Sequence, residues 1–492
     1  MASPRSSFYN SKFESSPMGP LLFRARLLPK SFVRNFGQIG IIYNTETRRQ
    51  EVFDASGAIF LAQIGRVFKS GEEIVRSLLT SFTGTSTKEL GQDFVDFANY
   101  LHQEAFIELE GSLAHDIADS SNRIKPHISK DRGLAETSEF LKVYFNTHPT
   151  LLSFQLYATQ RCNERCVHCY VDQKASGRLL PLERRLDLID QLQAMGTLDI
   201  TFTGGEAFLD RDLPKLIERA RKNDLVVAIL SNLTLLTREL LEVIREAEVE
   251  IVQTSVYSMD ADVHDSITRV PGSHRKTCLA IELLQSASVP VSVSVPILKE
   301  NRDSFHEVLR YCQDGGIPVH CDVGIMAKEN GDASNLSHRL GSSDFRDVVS
   351  KIVQHSATYR DLLEEHQDSA DEVWMETCGI GNYMLCLKAN GEFVPCPGFG
   401  LTVGNAWTSD LKDVWNNSPQ LNAMRQFNRS SSFPQCKSCQ SSAFCNFCLA
   451  KFHNETGWTS GLVPAAFCEI AQVNKQVALQ HLGGLISAQR GA

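Results

Sequence analysis

"RCNERCVHCY", residues 161–170, packs three cysteines into eight positions, Cys162, Cys166 and Cys169, in the spacing C-x3-C-x2-C. A closed metal site takes four ligands, and iron–sulfur cubes are normally held by four thiolates. Three clustered ligands leave one iron open, and an open position is how a catalytic metal site receives a substrate or cofactor. The place of the triplet matters as much as its spacing. It follows "LSFQLYA", the first strand candidate of a region in which strands and helices alternate. The other strand candidates are "LDITFTG", "LVVAILSN", "VEIVQTSVY", "VPVSVSVPI" and "PVHCDVGI". The helical stretches between them are "PLERRLDLIDQLQAMG", "RDLPKLIERARKND", "TRELLEVIREAE", "RKTCLAIELLQSAS" and "SFHEVLRYCQDGG". Six strands with five intervening helices predict a parallel α/β sheet curved into a partial (β/α)6 TIM-type barrel, whose chemistry gathers at the C-terminal strand ends.

Composition narrows the class. The 492 residues are 42% hydrophobic and 22% charged, as in ordinary globular proteins. No apolar run is long enough for a membrane span, and residues 1–20 are Ser- and Pro-rich without the apolar core of an export signal. They read as a disordered tail, and the chain as cytoplasmic. The net charge of −9 argues against nucleic acid as a partner. In a reducing compartment, 14 cysteines at short spacings point to metal or redox chemistry, not disulfides. Eleven of them fall into two clusters, 162–169 and 378–468; Cys278, Cys312 and Cys321 stand apart and read as small buried hydrophobes.

A second motif bears on the triplet. "TFTGGEAFL" places Gly204, Gly205 and Glu206 at the end of the second strand, about 35 residues on. Two glycines permit close backbone approach, and Glu206 offers a carboxylate to an ammonium. The triplet, the aromatic Tyr170 behind it and this GGE turn resemble the radical S-adenosylmethionine (SAM) enzymes. That resemblance implies a 4Fe–4S cluster on Cys162, Cys166 and Cys169, with SAM on its open iron. It also implies SAM contacts at Tyr170, Gly204, Gly205 and Glu206, and at Ser231, Asn232, Ser255 and Arg269 on later strand ends and loops. His264 and Asp265 read as solvated or capping residues. A zinc site completed by His168 or a distant residue is the structural alternative.

The C-terminal cysteines are Cys378, Cys386, Cys396, Cys436, Cys439, Cys445, Cys448 and Cys468, enough for two sets of four. The run C-x2-C-x5-C, with Gly391 ahead of Cys396, resembles the SPASM extension of peptide-modifying radical SAM enzymes. The resemblance implies two auxiliary 4Fe–4S clusters, one on Cys378, Cys386, Cys396 and Cys448, the other on Cys436, Cys439, Cys445 and Cys468. The sequence departs from that pattern in the short Cys386–Gly391 gap and in "CNFC", which has two residues between its cysteines where three are expected. Relatives that mature sulfatases carry a basic aspartate where this chain has Pro397, so no catalytic acid or base is assigned. Paired C-x2-C spacings also suit zinc.

Residues 21–115 read as a strand pair, three helices and a terminal strand, a winged-helix-like module. "FGQIGIIYN" and "DASGAIFL" resemble the peptide-recognition domain related to the peptide chaperone of the pyrroloquinoline quinone pathway. That implies a precursor peptide whose leader segment adds a strand to the sheet edge. Over residues 21–110, 10 Lys and Arg stand against 11 Asp and Glu, which disfavours the rival DNA-binding winged helix. The expected order is therefore tail 1–20, recognition module 21–115, linker 116–147, radical SAM barrel 148–328, helical bridge 329–372 and a Cys-rich iron–sulfur domain 373–492. The function implied is radical modification of a ribosomally made peptide, by crosslinking, epimerisation or another oxidation, with a one-electron reductant such as flavodoxin or ferredoxin. The same chemistry on a protein side chain or a tetrapyrrole, or a zinc-stapled peptide-binding protein, are the alternatives.

Overall fold

The computed structural model describes residues 23–82, 84–111, 128–131, 139–173, 178–356, 379–427, 432–445, 447–457 and 463–490. The expected tail 1–20, most of the linker, the later part of the bridge and Cys378 lie outside the described residues. The chain divides into two units, residues 1–136 and 137–492.

In the first unit, β1 (Phe23–Leu27), β2 (Ser31–Asn35), β3 (Gly40–Asn44) and β4 (Arg49–Phe53) precede helix α1 (Ala55–Leu61). A short β5 (Lys69–Ser70), α2 (Gly71–Leu78), α3 (Thr87–Gln103), β6 (Ile107–Gly111) and β7 (Ile128–Asp131) follow. Asp54 caps α1, and Ser70/Glu73 and Ser86/Glu89 form capping boxes on α2 and α3, so three helix starts are written locally. The strands make two antiparallel sheets, β5-β1-β6 and β2-β3-β4-β7. Strands β1, β2 and β5 were not expected, and β7 falls in the stretch read as linker. A Cβ on Gly40 would sit 2.7 Å from Ala58 Cα, so glycine lets α1 lie directly on β3. Phe53, Phe60, Phe94 and Phe97 fill the core with edge-on ring contacts.

The second unit opens with α4 (Glu139–Thr147) and is built on β8 (Ser153–Thr159), β9 (Asp199–Gly204), β10 (Val226–Leu230), β11 (Ile251–Ser255), β12 (Val291–Pro296) and β13 (Val319–Asp322). These pair in parallel in chain order. Helices α5 (Leu182–Ala194), α6 (Leu213–Lys222), α7 (Arg238–Glu246), α8 (Ala261–Thr268), α9 (Ser273–Ser286) and α10 (Phe305–Asp314) occupy the crossovers. A sequential order without reversal puts every crossover helix on one face, which makes a partial barrel, not a doubly wound sheet. Alternation then sorts the side chains. Val291, Val293 and Val295 of β12 enter the core under the helices, which leaves Ser292 and Ser294 facing the concave side.

The sheet holds nine strands, not six. Strand β14 (Met384–Leu387) from the Cys-rich region pairs in parallel with β8, and β15 (Glu392–Val394) and β16 (Gly404–Asn405) continue it antiparallel. The first barrel edge is thereby covered by the C-terminal region. In the described part of the bridge, residues 329–356, a 3-10 turn (Ser334–His338) precedes helix α11 (Ser342–His355). Within the expected Cys-rich domain 373–492 lies a 26-residue helix, Ala465–Arg490, which packs Val477 and Ala478 on Val349 and Val353 of α11. Among the described residues no helix is long and apolar enough to cross a membrane.

Candidate active site

The cysteine loop leaves the C-terminal end of β8 and is fastened on three sides. The N–H groups of Arg165 and Val167 donate to the carbonyls of Thr268 and Ile267 in the last turn of α8 (3.0 and 2.9 Å). The loop thus satisfies carbonyls that a helix end leaves without partners. On the second side, Gly205 N donates to Thr159 O and Glu206 N to Arg161 O, both at 2.9 Å. Gly204 has φ +133°, and a Cβ on Gly205 would sit 2.3 Å from Arg161 O. The glycines were read as room for a ligand; the space beside their Cα atoms is filled by the cysteine loop itself. On the third side, Glu329 N donates to Tyr170 O (3.0 Å), and Glu329 Oε1 accepts from Asp172 N and Gln160 Nε2. Lys388 of the Cys-rich region completes that network 2.9 Å from Glu329 Oε2, with both side chains nearly buried.

The three thiols lie within electrostatic reach of one another. Burial pushes Cys162 up to about 12 and raises Cys166 and Cys169 as well. Thiols so placed become thiolates only when a cation takes the proton's place, as metal binding does. Cys166 Sγ donates to Glu164 Oε2 (3.4 Å), and burial pushes Glu164 up to about 7. Tyr257 Oη lies 3.8 Å from Cys166 Sγ and 2.9 Å from His168 Nε2. Burial pulls His168 down to about 4 and so favours a neutral imidazole.

Glu206 is fully buried, and its carboxylate accepts from Ser231 Oγ (2.6 Å), Asn232 N (2.7 Å) and Phe208 N (2.9 Å). It is tied down by protein donors and fixes the end of β10 against the GGE turn. Burial raises its pKa, against those bonds. Asn232 in turn bonds Asn163 Oδ1 (2.9 Å) and reaches Cys162 Sγ (3.9 Å), so Gly204, Gly205, Glu206, Ser231 and Asn232 all join the cysteine loop. Ser255 pairs with Ser294 across β11 and β12 and faces the concave side. Arg269 is an exposed left-handed C-cap of α8. Tyr170 is packed with Tyr157, Val171 and Cys386, its ring 2.8 Å from where a Cβ on Gly398 would lie. His264 is buried, not solvated, whereas Asp265 does cap α9 through Gly272 N, Ser273 Oγ and His274 N.

In the C-terminal cluster Cys386 is fully buried on β14, and Cys396 follows β15. Cys436, Cys439 and Cys445 are linked by consecutive tight turns, Cys439 N to Cys436 O, Ser442 N to Cys439 O and Cys445 N to Ser442 O. The long helix carrying Cys468 is fixed to these turns by Lys475 Nζ on Gln440 O (2.6 Å). Cys448 begins helix Leu449–Thr456. Among the described residues no three His, Cys, Asp or Glu side chains converge on one metal ion. A cube sets no such condition, since each thiolate binds a different iron. Among the described residues, Gln155 of β8 and Gln160, which leads into the cysteine loop, each bury a side-chain oxygen without a hydrogen-bond partner, polar capacity that suits a bound polar group.

Two family models match the chain: the radical SAM superfamily over residues 156–312 and the iron–sulfur cluster-binding SPASM domain over 378–440. The chain carries a radical SAM domain followed by a SPASM domain. It is 25% identical over 317 residues to the antilisterial bacteriocin subtilosin biosynthesis protein AlbA of Bacillus subtilis, covering 62% of this chain and 69% of that protein. It is 24% identical over 335 residues to an AdoMet-dependent heme synthase of Methanosarcina barkeri, covering 63% and 93%. The fold is similar to that of Streptococcus suis SuiB bound to the precursor peptide SuiA, at TM-score 0.60 and 16% identity over 89% of this chain and 97% of that one. The radical SAM and SPASM domains make SAM and 4Fe–4S clusters the cofactors, and the donor set around the cysteine loop fits them. Tyr257, Glu164 and Glu329 were missed from sequence; an isolated Tyr or Glu at a strand or loop end carries no signal of its own.

Proposed function

We propose that this chain is a radical SAM enzyme that modifies a ribosomally synthesised precursor peptide. The supporting observation is the reach of the fold match. Its 89% coverage is more than residues 137–492 alone provide, so the likeness to a peptide-bound maturase extends into the first unit. In that unit β2 and β7 are the edges of their sheet among the described residues, and a leader could add a strand to such an edge. Residues 21–115 are then the leader-recognition module, 148–328 the radical SAM barrel and 373–492 the auxiliary cluster domain.

In this reading Cys162, Cys166 and Cys169 hold the open cluster. Gly204, Gly205, Glu206, Ser231, Asn232 and Ser255 border SAM, with Glu206 acting through the Ser231 and Asn232 groups it fixes. Tyr170 and Arg269 complete the set inferred from the resemblance. Cys378, Cys386, Cys396 and Cys448 hold one auxiliary cluster, and Cys436, Cys439, Cys445 and Cys468 the other. When bound, the cluster and SAM supply a 5′-deoxyadenosyl radical that can take a hydrogen atom from the peptide. The barrel's contribution is to hold that chemistry in a shielded concave site and to present the peptide to it. Flavodoxin or ferredoxin would supply the electron.

The test is anaerobic reconstitution with iron and sulfide, then incubation with SAM, a reductant and each small peptide found encoded near the gene. Formation of 5′-deoxyadenosine with a changed peptide, seen as a mass change for an oxidation or as deuterium uptake from heavy water for an epimer, is the expected result. The match to 93% of the heme synthase favours a tetrapyrrole as the second reading. SAM cleavage coupled to turnover of a porphyrin, with every neighbouring peptide unchanged, would replace the peptide by that substrate.

A further inference from the structure

Asp322 is the last residue of β13. Its neighbour Cys321 packs toward the core and feels Cys312 of α10. By alternation His320 and Asp322 face the other way, into the concave side of the barrel, at the strand end where barrel chemistry sits. Two groups hold the carboxylate. Gly324 N donates to Oδ1 at 2.8 Å, and Lys451 Nζ stands 3.3 Å from Oδ2 and 3.5 Å from Oδ1. Burial works to raise the Asp322 pKa, but Lys451 and the Gly324 amide outweigh it and keep the group ionised.

The pair is unequal. Lys451 is covered, with 11% of its side chain accessible, under the ring of Phe467, whereas Asp322 keeps 40% of its side chain open. A Cβ on Gly324 would sit 3.1 Å from Lys451 Nζ and 3.3 Å from the Phe467 ring, so the lysine is packed into one place. A buried ion pair offsets its desolvation only when the remaining hydrogen-bonding capacity of both partners is satisfied. Here the cation is enclosed and the anion presents a free face. Lys451 lies on helix Leu449–Thr456, which begins at Cys448. Its contact with Asp322 therefore ties the end of β13, at the barrel's concave side, to the helix that follows Cys448.

We propose that Asp322, set in place by Lys451, is a substrate-binding residue that receives the core segment of the peptide. Because Lys451 already balances its charge, it selects a neutral hydrogen-bond donor (an amide N–H, a hydroxyl or a thiol) over a cation. This rests on the peptide reading above.

The experiment uses the full-length reconstituted enzyme, SAM and whichever peptide the unsubstituted enzyme modifies in the test above, with Asp322→Ala, Asp322→Asn, Asp322→Glu and Lys451→Met. Iron per chain and the thermal midpoint are measured on each. Asp322→Ala is expected to raise KM for the peptide about tenfold or more, the loss of one charge-assisted hydrogen bond. It should also lower the product formed per SAM cleaved. Asp322→Asn, of the same shape, should fall between, and Asp322→Glu should recover part of the loss. Unchanged KM and coupling in both Asp322→Ala and Asp322→Asn would overturn the inference. So would equal loss of iron and thermal midpoint in Asp322→Ala and Lys451→Met with KM of the loaded fraction unaltered, which is the signature of a structural pair. If the unsubstituted enzyme turns over no peptide, the peptide reading falls and takes this inference with it. Turnover that ignores Asp322 removes this inference alone.

Discussion

At Gly205 a single hydrogen atom decides whether the cysteine loop closes. A Cβ there would meet the Arg161 carbonyl at 2.3 Å and the Gln160 carbonyl at 2.6 Å. Both are backbone atoms of the segment leading into Cys162, so no side chain can swing aside to make room. Gly205→Ala should destabilise the protein by about 1–3 kcal/mol, the usual cost of overpacking. It should also reduce iron bound per chain, because the displaced segment carries Cys162; a thermal melt and an iron assay on the same sample check both. The GGE motif was legible in the sequence, but its local reason was not. Spacing says that two glycines stand at a strand end; it does not say that the chain 45 residues earlier fills the space beside them. Tyr257 is the opposite case. It looks like any strand-end aromatic, and only the parallel sheet brings its hydroxyl 3.8 Å from Cys166.

Among the elements, α3 offers a test of the first unit that is independent of the cysteines. Burial on this helix pushes the Asp93 carboxyl up to about 6, with Asp96 and Glu89 adding to the shift. A carboxyl whose folded pKa lies above its unfolded value of about 3.9 holds its proton more tightly when folded. Unfolding then releases a proton, so stability falls as pH rises from about 4 to 6 and levels off above that window. Asp93→Asn should raise the melting temperature of the first unit at pH 7.5, leave it little changed at pH 4, and flatten the dependence between; calorimetry of the full chain at the two pH values measures it. The barrel strands and their helices were legible because each pairs an apolar run with a helical stripe. Strand β14 was not, since four residues, "MLCL", carry no period and gain their place only by pairing with β8. The helix Ala465–Arg490 was hidden by its Gly483-Gly484 pair, since glycine is a weak helix former.

For the whole molecule, eleven cysteines in two clusters define a count. One open and two closed cubes need about twelve irons per chain, and changing Cys162, Cys166 and Cys169 together to Ala should leave about eight. Zinc without iron in both proteins would instead return the binding-protein alternative. The division into two units, each with its own core, gives the last expectation. If the first unit captures the leader while the barrel acts on the core, the leader contributes no atom to the reaction and works only by raising the local concentration of the core. A covalent tether of suitable length raises that concentration to the millimolar range and strengthens the second contact by about 10²–10⁴-fold. A precursor lacking its leader should therefore keep its kcat and lose affinity by a factor of that order. The same leader added as a separate peptide should not restore KM, because it occupies the recognition edge without delivering the core. Steady-state kinetics with the three substrates decides the matter. A fall in kcat with KM unchanged, or full rescue by the free leader, would mean that the first unit switches the barrel on instead of holding its substrate.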